Sequence, residues 1–167
     1  MDPRVKTSSA ALAKKFETEK QLASLLSQTS QAVLQAGSLR EPLQKLSQQA
    51  AGTARDAVQS FQKKFDEVLG APGGFAAPPA NEISLSRVNG QVAILYGQVW
   101  QVDAEPTAAQ SEAIAATEHD AADVLKRWDA LRNSDLPALN RTLGNASLPE
   151  LKIEADPHQE ETNMDEE

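Results

Sequence analysis

His119 and Asp123 stand four residues apart, the spacing at which one helix can offer two ligands to one metal ion. Glu118 and Asp120 flank the histidine, but two ligands do not make a site, and a third and fourth would have to come from another helix. The group reads as a solvated polar face, and no metal ligand is assigned. His158, the other histidine, sits among acids near the end of the chain. Paired carboxylates for glycoside hydrolysis need a rigid cleft, and the densest acids lie beyond Ile153 on that same end. Gly73-Gly74 lies between prolines, without the lysine and following helix of a phosphate-binding loop. No serine or threonine occupies a strand–turn–helix elbow with a histidine base. The chain has no cysteine, hence no thiol nucleophile, disulfide or cysteine metal site. Asn140-Arg141-Thr142 and Asn145-Ala146-Ser147 match the N-glycosylation acceptor pattern and read as chance matches. No catalytic, cofactor-binding or metal-binding residue is assigned, and no cofactor is expected.

Tyr96 and Trp100 suggest association instead of reaction. They stand four apart and flank the apolar stripe Leu85, Val88, Val92, Leu95, Val99 and Val102. One reading makes them the margin of a wide buried face. The other makes them an aromatic patch that docks a neighbouring domain or subunit.

The elements that would position such a patch are helical. Aromatics are 4% of the 167 residues, so a core must come from Leu, Val, Ile and Ala, a mixture that suits helix-on-helix packing. A first helix is expected from Ser9 to Ala36, with Leu12, Phe16, Leu22, Leu26, Thr29 and Val33 on one face and Leu25 and Leu34 at its margin. Gly37 is expected to end it, and Ser38-Leu39-Arg40-Glu41 reads as a capping box opening a second helix, with Pro42 in its first turn and Leu39, Leu43, Leu46 and Ala50 inward. After Gly52, Thr53 can cap a third helix carrying Val58, Phe61, Phe65, Val68 and Leu69, which Gly70 ends. The APGGFAAPPA segment at 71–80 is a linker between two helical halves, with Phe75 pinning it to the bundle.

A fourth helix is expected from near Asn81. Thr107-Ala108-Ala109-Gln110 caps a fifth, whose face is Ile114, Thr117, Ala121, Val124, Leu125, Trp128 and Leu131. Ser134-Asp135-Leu136-Pro137 either kinks that helix or, the favoured reading, caps a short one with Leu136, Leu139 and Leu143 inward and Gly144 as terminator. Leu148-Pro149-Glu150-Leu151 should fold back onto the core. Short connections make neighbours antiparallel. The expected fold is therefore all-α: an up-and-down bundle of three or four long helices plus short ones over residues 9–151. An extended segment at 1–8 precedes it and a disordered acidic tail at 152–167 follows it.

The net charge of −8 is concentrated in that tail, where seven acids follow Ile153 without a lysine or arginine and leave the rest of the chain at −1. A near-neutral body lacks the basic face that nucleic acid requires. No apolar run approaches the roughly 18–20 residues of a membrane span. The first residues, Met1-Asp2-Pro3-Arg4-Val5-Lys6, have no apolar segment behind their charges and do not read as a secretory signal.

Leu95-Tyr96-Gly97, the DAEPTAAQ turn from Asp103 to Gln110, Arg127-Trp128-Asp129-Ala130-Leu131, Asp135-Leu136-Pro137-Ala138-Leu139-Asn140 and Leu148-Pro149 occur in this order. Together they resemble the C-terminal helical region of bacterial sortilin-like, BNR/Asp-box β-propeller proteins, often labelled glycosyl hydrolases. Met1-Asp2-Pro3-Arg4-Val5 is similar to the last strand of the small β-sandwich preceding those helices. The resemblance covers about residues 1 to 151 and implies a helical module of an exported propeller protein, here as a truncated or split product. Ligand and catalytic residues of that family would lie in the propeller, so none transfers. The function expected is a non-catalytic packing or interaction module that docks on a protein partner, on its own propeller domain or on itself. The alternative is a free-standing amphipathic protein coating an apolar surface, as granule-associated phasins do.

Overall fold

The computed structural model describes residues 8–70 and 83–154. The first seven residues, the 71–80 linker with Phe75, and the tail from residue 155 lie outside the described residues. The described chain is 84% helical without a strand, which makes the class all-α. Its helices are α1 (Ser9–Gln49), α2 (Gly52–Leu69), α3 (Leu85–Trp100), α4 (Ala108–Ala130) and α5 (Leu136–Asn145), with a π-helical turn, Leu131–Asp135, joining the last two.

Side-chain bonds between helices show how these elements are arranged. Thr29 and Ser30 of α1 meet Asn89 of α3, while Lys15 meets Asp103 just past the end of α3, so α1 and α3 are antiparallel. Lys64 of α2 bonds Asp135, and Ala57 lines a groove with Thr142, so α2 is antiparallel to α5. Ser86 at the start of α3 donates to the Leu69 carbonyl at the end of α2. The described residues thus form three rods. The outer rods are α1 and the α4–π–α5 run, and the middle rod is α2 followed in tandem by α3. At 41 residues α1 is about 60 Å long and backs both halves of the middle rod.

The expected stripes of α2, α3 and α5 are buried, as are Ile114, Thr117, Ala121, Val124, Trp128 and Leu131. They form one core with Leu22, Ala32, Ala36, Leu39, Leu43 and Leu46 of α1 and with Leu151. Leu151 is held from both sides by Asn140, whose Nδ2 donates to its carbonyl at 2.8 Å and whose Oδ1 accepts its N–H at 2.9 Å. The Thr107/Gln110 capping box is formed.

Several expected boundaries differ. Gly37 does not end the first helix, and Ser38-Leu39-Arg40-Glu41 does not start another, because α1 passes through both and through Pro42. The physical reason is phase: buried Thr29, Ala32, Ala36, Leu39, Leu43 and Leu46 step by three or four without a break. Burying that ridge outweighs a helical glycine, which costs about 1 kcal/mol. Ser38 Oγ donates back to the Gln35 carbonyl at 2.7 Å in place of capping. Phe16 and Leu34 are each 58% exposed, because they lie about 120° around α1 from Leu22. Thr53 is not a cap, since Ala51 holds that position and Gly52 is the first residue of α2. Near residue 81 no helix start is described, and Ser84 is the N-cap of α3. Val102 lies past the helix end and is 52% exposed.

Asp135 caps nothing. The π turn absorbs the extra residue before Pro137 and frees Asp135 to pair with Lys64 at 2.6 Å. Gly144 is not the terminator of α5 either. Ser147 takes the left-handed backbone (φ 56°), with its N–H on the Gly144 carbonyl and the Leu148 N–H on the Leu143 carbonyl. This 6→1 closure turns the chain late enough for Leu148 to reach the core.

Candidate docking surface

α1 from Gln21 to Leu39 contains no charged residue, and neither does the chain from Val88 to Val102. A quarter of the protein is otherwise charged, and the antiparallel register lays these two runs side by side. The register is fixed within the pair by Asn89 Oδ1, which accepts from Thr29 Oγ1 at 2.8 Å and Ser30 Oγ at 2.9 Å. Thr29 is fully buried, so its hydroxyl must bond within the protein, and its single proton is shared between Asn89 Oδ1 and the Leu25 carbonyl, 3.0 Å away. Charges border both ends: Arg40 and Arg87 at one, and at the other Lys14 pairs with Glu105 and Lys15 Nζ lies 3.5 Å from Asp103 and 3.2 Å from Glu19. Desolvation alone would lower the Lys15 ammonium, but the Glu19 and Asp103 carboxylates outweigh it and hold Lys15 above its usual range.

Among the described residues, the large hydrophobics left exposed are Phe16, Leu34, Ile94, Trp100 and Val102. All five belong to α1, to α3 or to the turn just after it. On α1, Phe16, Lys20, Ala23, Ser27, Ser30 and Leu34 follow one another at helical spacing down one side of the rod. Within that row Ala23 and Ser27 are exposed and Ser30 is half-buried. On α3 the outward side carries Gly90, Ala93, Ile94, Gly97 and Trp100. A Cβ added at Gly90 or Gly97 would meet nothing within 4 Å, so the packing of this chain does not require either glycine. Lys20 stands over the Phe16 ring, 5.7 Å from its centroid, at the boundary where charge begins.

Tyr96 and Trp100 stand one turn apart on α3 but differ in burial. Tyr96 is half-buried against the core, whereas Trp100 is 64% exposed. The sequence reading placed Phe16 inside and gave Leu34, Ile94, Gly90 and Gly97 no part in the patch. The signal that finds them is the absence of charge over two runs, combined with their antiparallel register.

The other candidates are weaker. His119 has a side chain 86% exposed and lies 3.9 Å from Asp120, while Asp123 pairs with Arg127 at 3.2 Å. Among the described residues no three His, Asp or Glu side chains converge on a metal position. His158 lies outside the described residues. A groove between α1 and α4 is lined by Gln28, Gln31, Gln35, Trp128, Asp129 and Arg132. Trp128 Nε1 is buried there without a hydrogen-bond partner, while Arg132 bonds Asp129 at 2.9 Å and Gln35 at 3.4 Å. The charges in that groove are matched, and no unpaired one is left to hold a ligand. No described helix is long and apolar enough to cross a membrane.

Comparison with protein-family models, with curated proteins and with solved structures finds no match to the chain.

Proposed function

We propose that this chain is a non-catalytic helical docking module whose contact surface is the uncharged α1–α3 face around Trp100. The observation that carries the reading is the antiparallel pairing of two charge-free runs, together with the confinement of the exposed large hydrophobics among the described residues to α1, α3 and the turn after it. Interface cores are depleted of charge and anchored by aromatics, and solvated helix faces are not. The ordered motifs from Tyr96 to Leu148 support an origin as the C-terminal helical region of a sortilin-like propeller protein. In that case a propeller is among the surfaces the face would meet. The codons upstream of Met1 check this ancestry, and Asp-box blades are expected there.

A surface-coating role would use the same face, but a chain with a closed core spanning all five helices favours docking by a folded module. A direct test compares the parent chain with the Phe16→Asp/Trp100→Asp double variant in dilute buffer. The parent should bind the apolar dye anilinonaphthalene sulfonate and retain on a phenyl resin, while the variant should lose both at unchanged helicity. Equal dye binding by both chains would refute the docking face. A large gain in helicity on lipid or polymer particles would favour coating instead.

A further inference from the structure

We infer that the groove between α1 and α4 is the seat of this chain's own residues 155–159, laid in it as an extended strand. The strand continues the strap that brings the chain back from α5, and the strap sets its direction. Leu151 is bound by Asn140 of α5, and three residues later the Glu154 N–H donates to Ser38 Oγ of α1 at 3.4 Å. The two outer rods run parallel, since both are antiparallel to the middle rod, and the Arg132–Gln35 bond marks one level across them. Asn140 stands about 12 Å further along its rod than that level, and Ser38 about 4.5 Å further along α1. At Glu154 the chain is therefore heading back toward Gln35 and Arg132.

The groove opens directly ahead of it. Ser38, Gln35, Gln31 and Gln28 form one row of α1 at helical spacing, and the last three line the groove opposite Leu125, Trp128 and Arg132. From Ser38 to Gln28 the row is about 15 Å long, and five extended residues span about 16 Å. Residues 1–7 do not reach it. Ser8 lies about 30 Å along α1 from Gln28, and seven residues span about 25 Å at most.

The residue pattern fits the same seat. Along the strap Leu151 is buried and Ile153 half-buried, while Lys152 and Glu154 are exposed. This alternation, carried forward, turns Ala155, Pro157 and Gln159 inward and Asp156, His158 and Glu160 outward. The inward three carry no charge, which suits a groove whose Arg132 and Asp129 already satisfy each other. The next inward position is Glu161, an acid, and it falls beyond Gln28. Trp128 gives an independent reason. It is 2% exposed, and among the described residues nothing accepts from its buried indole N–H. Buried donors are nearly always paired, and a strand at this level brings main-chain carbonyls beside the indole.

Two measurements on the full chain test this. In a Trp100→Phe background Trp128 is the only tryptophan, so its fluorescence reads the groove. Pro157→Asp puts a charge inward and should raise acrylamide quenching of Trp128 several-fold. His158→Asp adds the same charge outward and should leave quenching unchanged, with helicity alike in all three chains. The chain has no cysteine, so engineered pairs report proximity without interference. Gln31→Cys with Pro157→Cys should close an intramolecular disulfide much faster than Gln44→Cys with Pro157→Cys, although Gln44 is no farther than Gln31 from Ser38 along α1. Equal quenching in the two aspartate variants, or disulfide closure at Gln44→Cys as fast as at Gln31→Cys, overturns the inference.

Discussion

Ser147 carries the left-handed backbone that ends α5, at φ 56°, a conformation that costs a non-glycine residue about 1 kcal/mol. Its N–H and that of Leu148 close the helix end, so the conformation is held by packing and not by the serine itself. Ser147→Gly should therefore raise stability by about 0.5–1 kcal/mol, seen as a rise of a few degrees in melting temperature. An unchanged or lower melting temperature would show that this turn is not strained. Asp66 makes a pH-dependent case. Burial pushes its carboxyl above the usual 3.8, and the Arg40 guanidinium opposes this only in part. The folded chain then holds the Asp66 proton more tightly than the unfolded chain does. Its contribution to stability is complete below pH 3.8 and is lost as pH rises through the elevated folded value. Asp66→Asn is accordingly more stable than the parent at pH 7, with an advantage that shrinks to nothing as denaturation is repeated toward pH 3. A constant advantage across that range would assign the gain to something other than ionisation.

At the level of elements, α1 decides between two kinds of signal. The sequence offers Gly37 as a stop and Ser38/Glu41 as a start, both local, while the ridge from Thr29 to Leu46 keeps one phase through them. Tertiary burial wins, because every residue of that ridge faces the other two rods. Pro42 is the clearest witness. In the first turn of a separate helix it would be harmless, whereas inside α1 it leaves the Ser38 carbonyl without a backbone donor and costs about 3 kcal/mol. Pro42→Ala should stabilise the chain by about 2 kcal/mol in urea denaturation, after allowing for the greater freedom of the unfolded variant. A neutral or negative effect would mean that two helices meet there. The same contrast sets what was legible in the sequence. Stripes at regular spacing in α2, α3, α4 and α5, and the Thr107/Gln110 box, are visible from residue types alone. The π turn at Leu131–Asp135 is not, since it depends on Asp135 reaching Lys64 across the bundle. The proposed docking face is half legible. Tyr96 and Trp100 stand out as aromatics, but Phe16 and Leu34 join them only once the turn of α1 relative to Leu22 is known.

The whole molecule is organised around the interruption of its middle rod. At that level both cut ends are held by the outer rods. Arg40 of α1 donates to the Gly70 carbonyl at 3.0 Å, and Arg127 of α4 donates to the Ile83 carbonyl. The ends also touch each other, through Ser86 Oγ on the Leu69 carbonyl at 2.8 Å and through Gly70, where an added Cβ would come within 2.9 Å of Ser84 Oγ. Each half of the rod is anchored by its own buried ridge, Val58 to Leu69 in α2 and Leu85 to Val99 in α3. Covalent continuity between residues 70 and 83 should therefore contribute little beyond keeping the halves at high effective concentration. A protease site placed within 71–82 tests this. After cleavage the α1–α2 and α3–α5 fragments should stay together through gel filtration with undiminished helicity and part only in denaturant. Replacing Arg40 and Arg127 by alanine should then destabilise the cut form more than the intact one, because in the cut form no peptide link supplements the packing and side-chain bonds that align the two ends. Fragments that separate in buffer would show that the peptide link, and not the flanking rods, holds the middle rod in line.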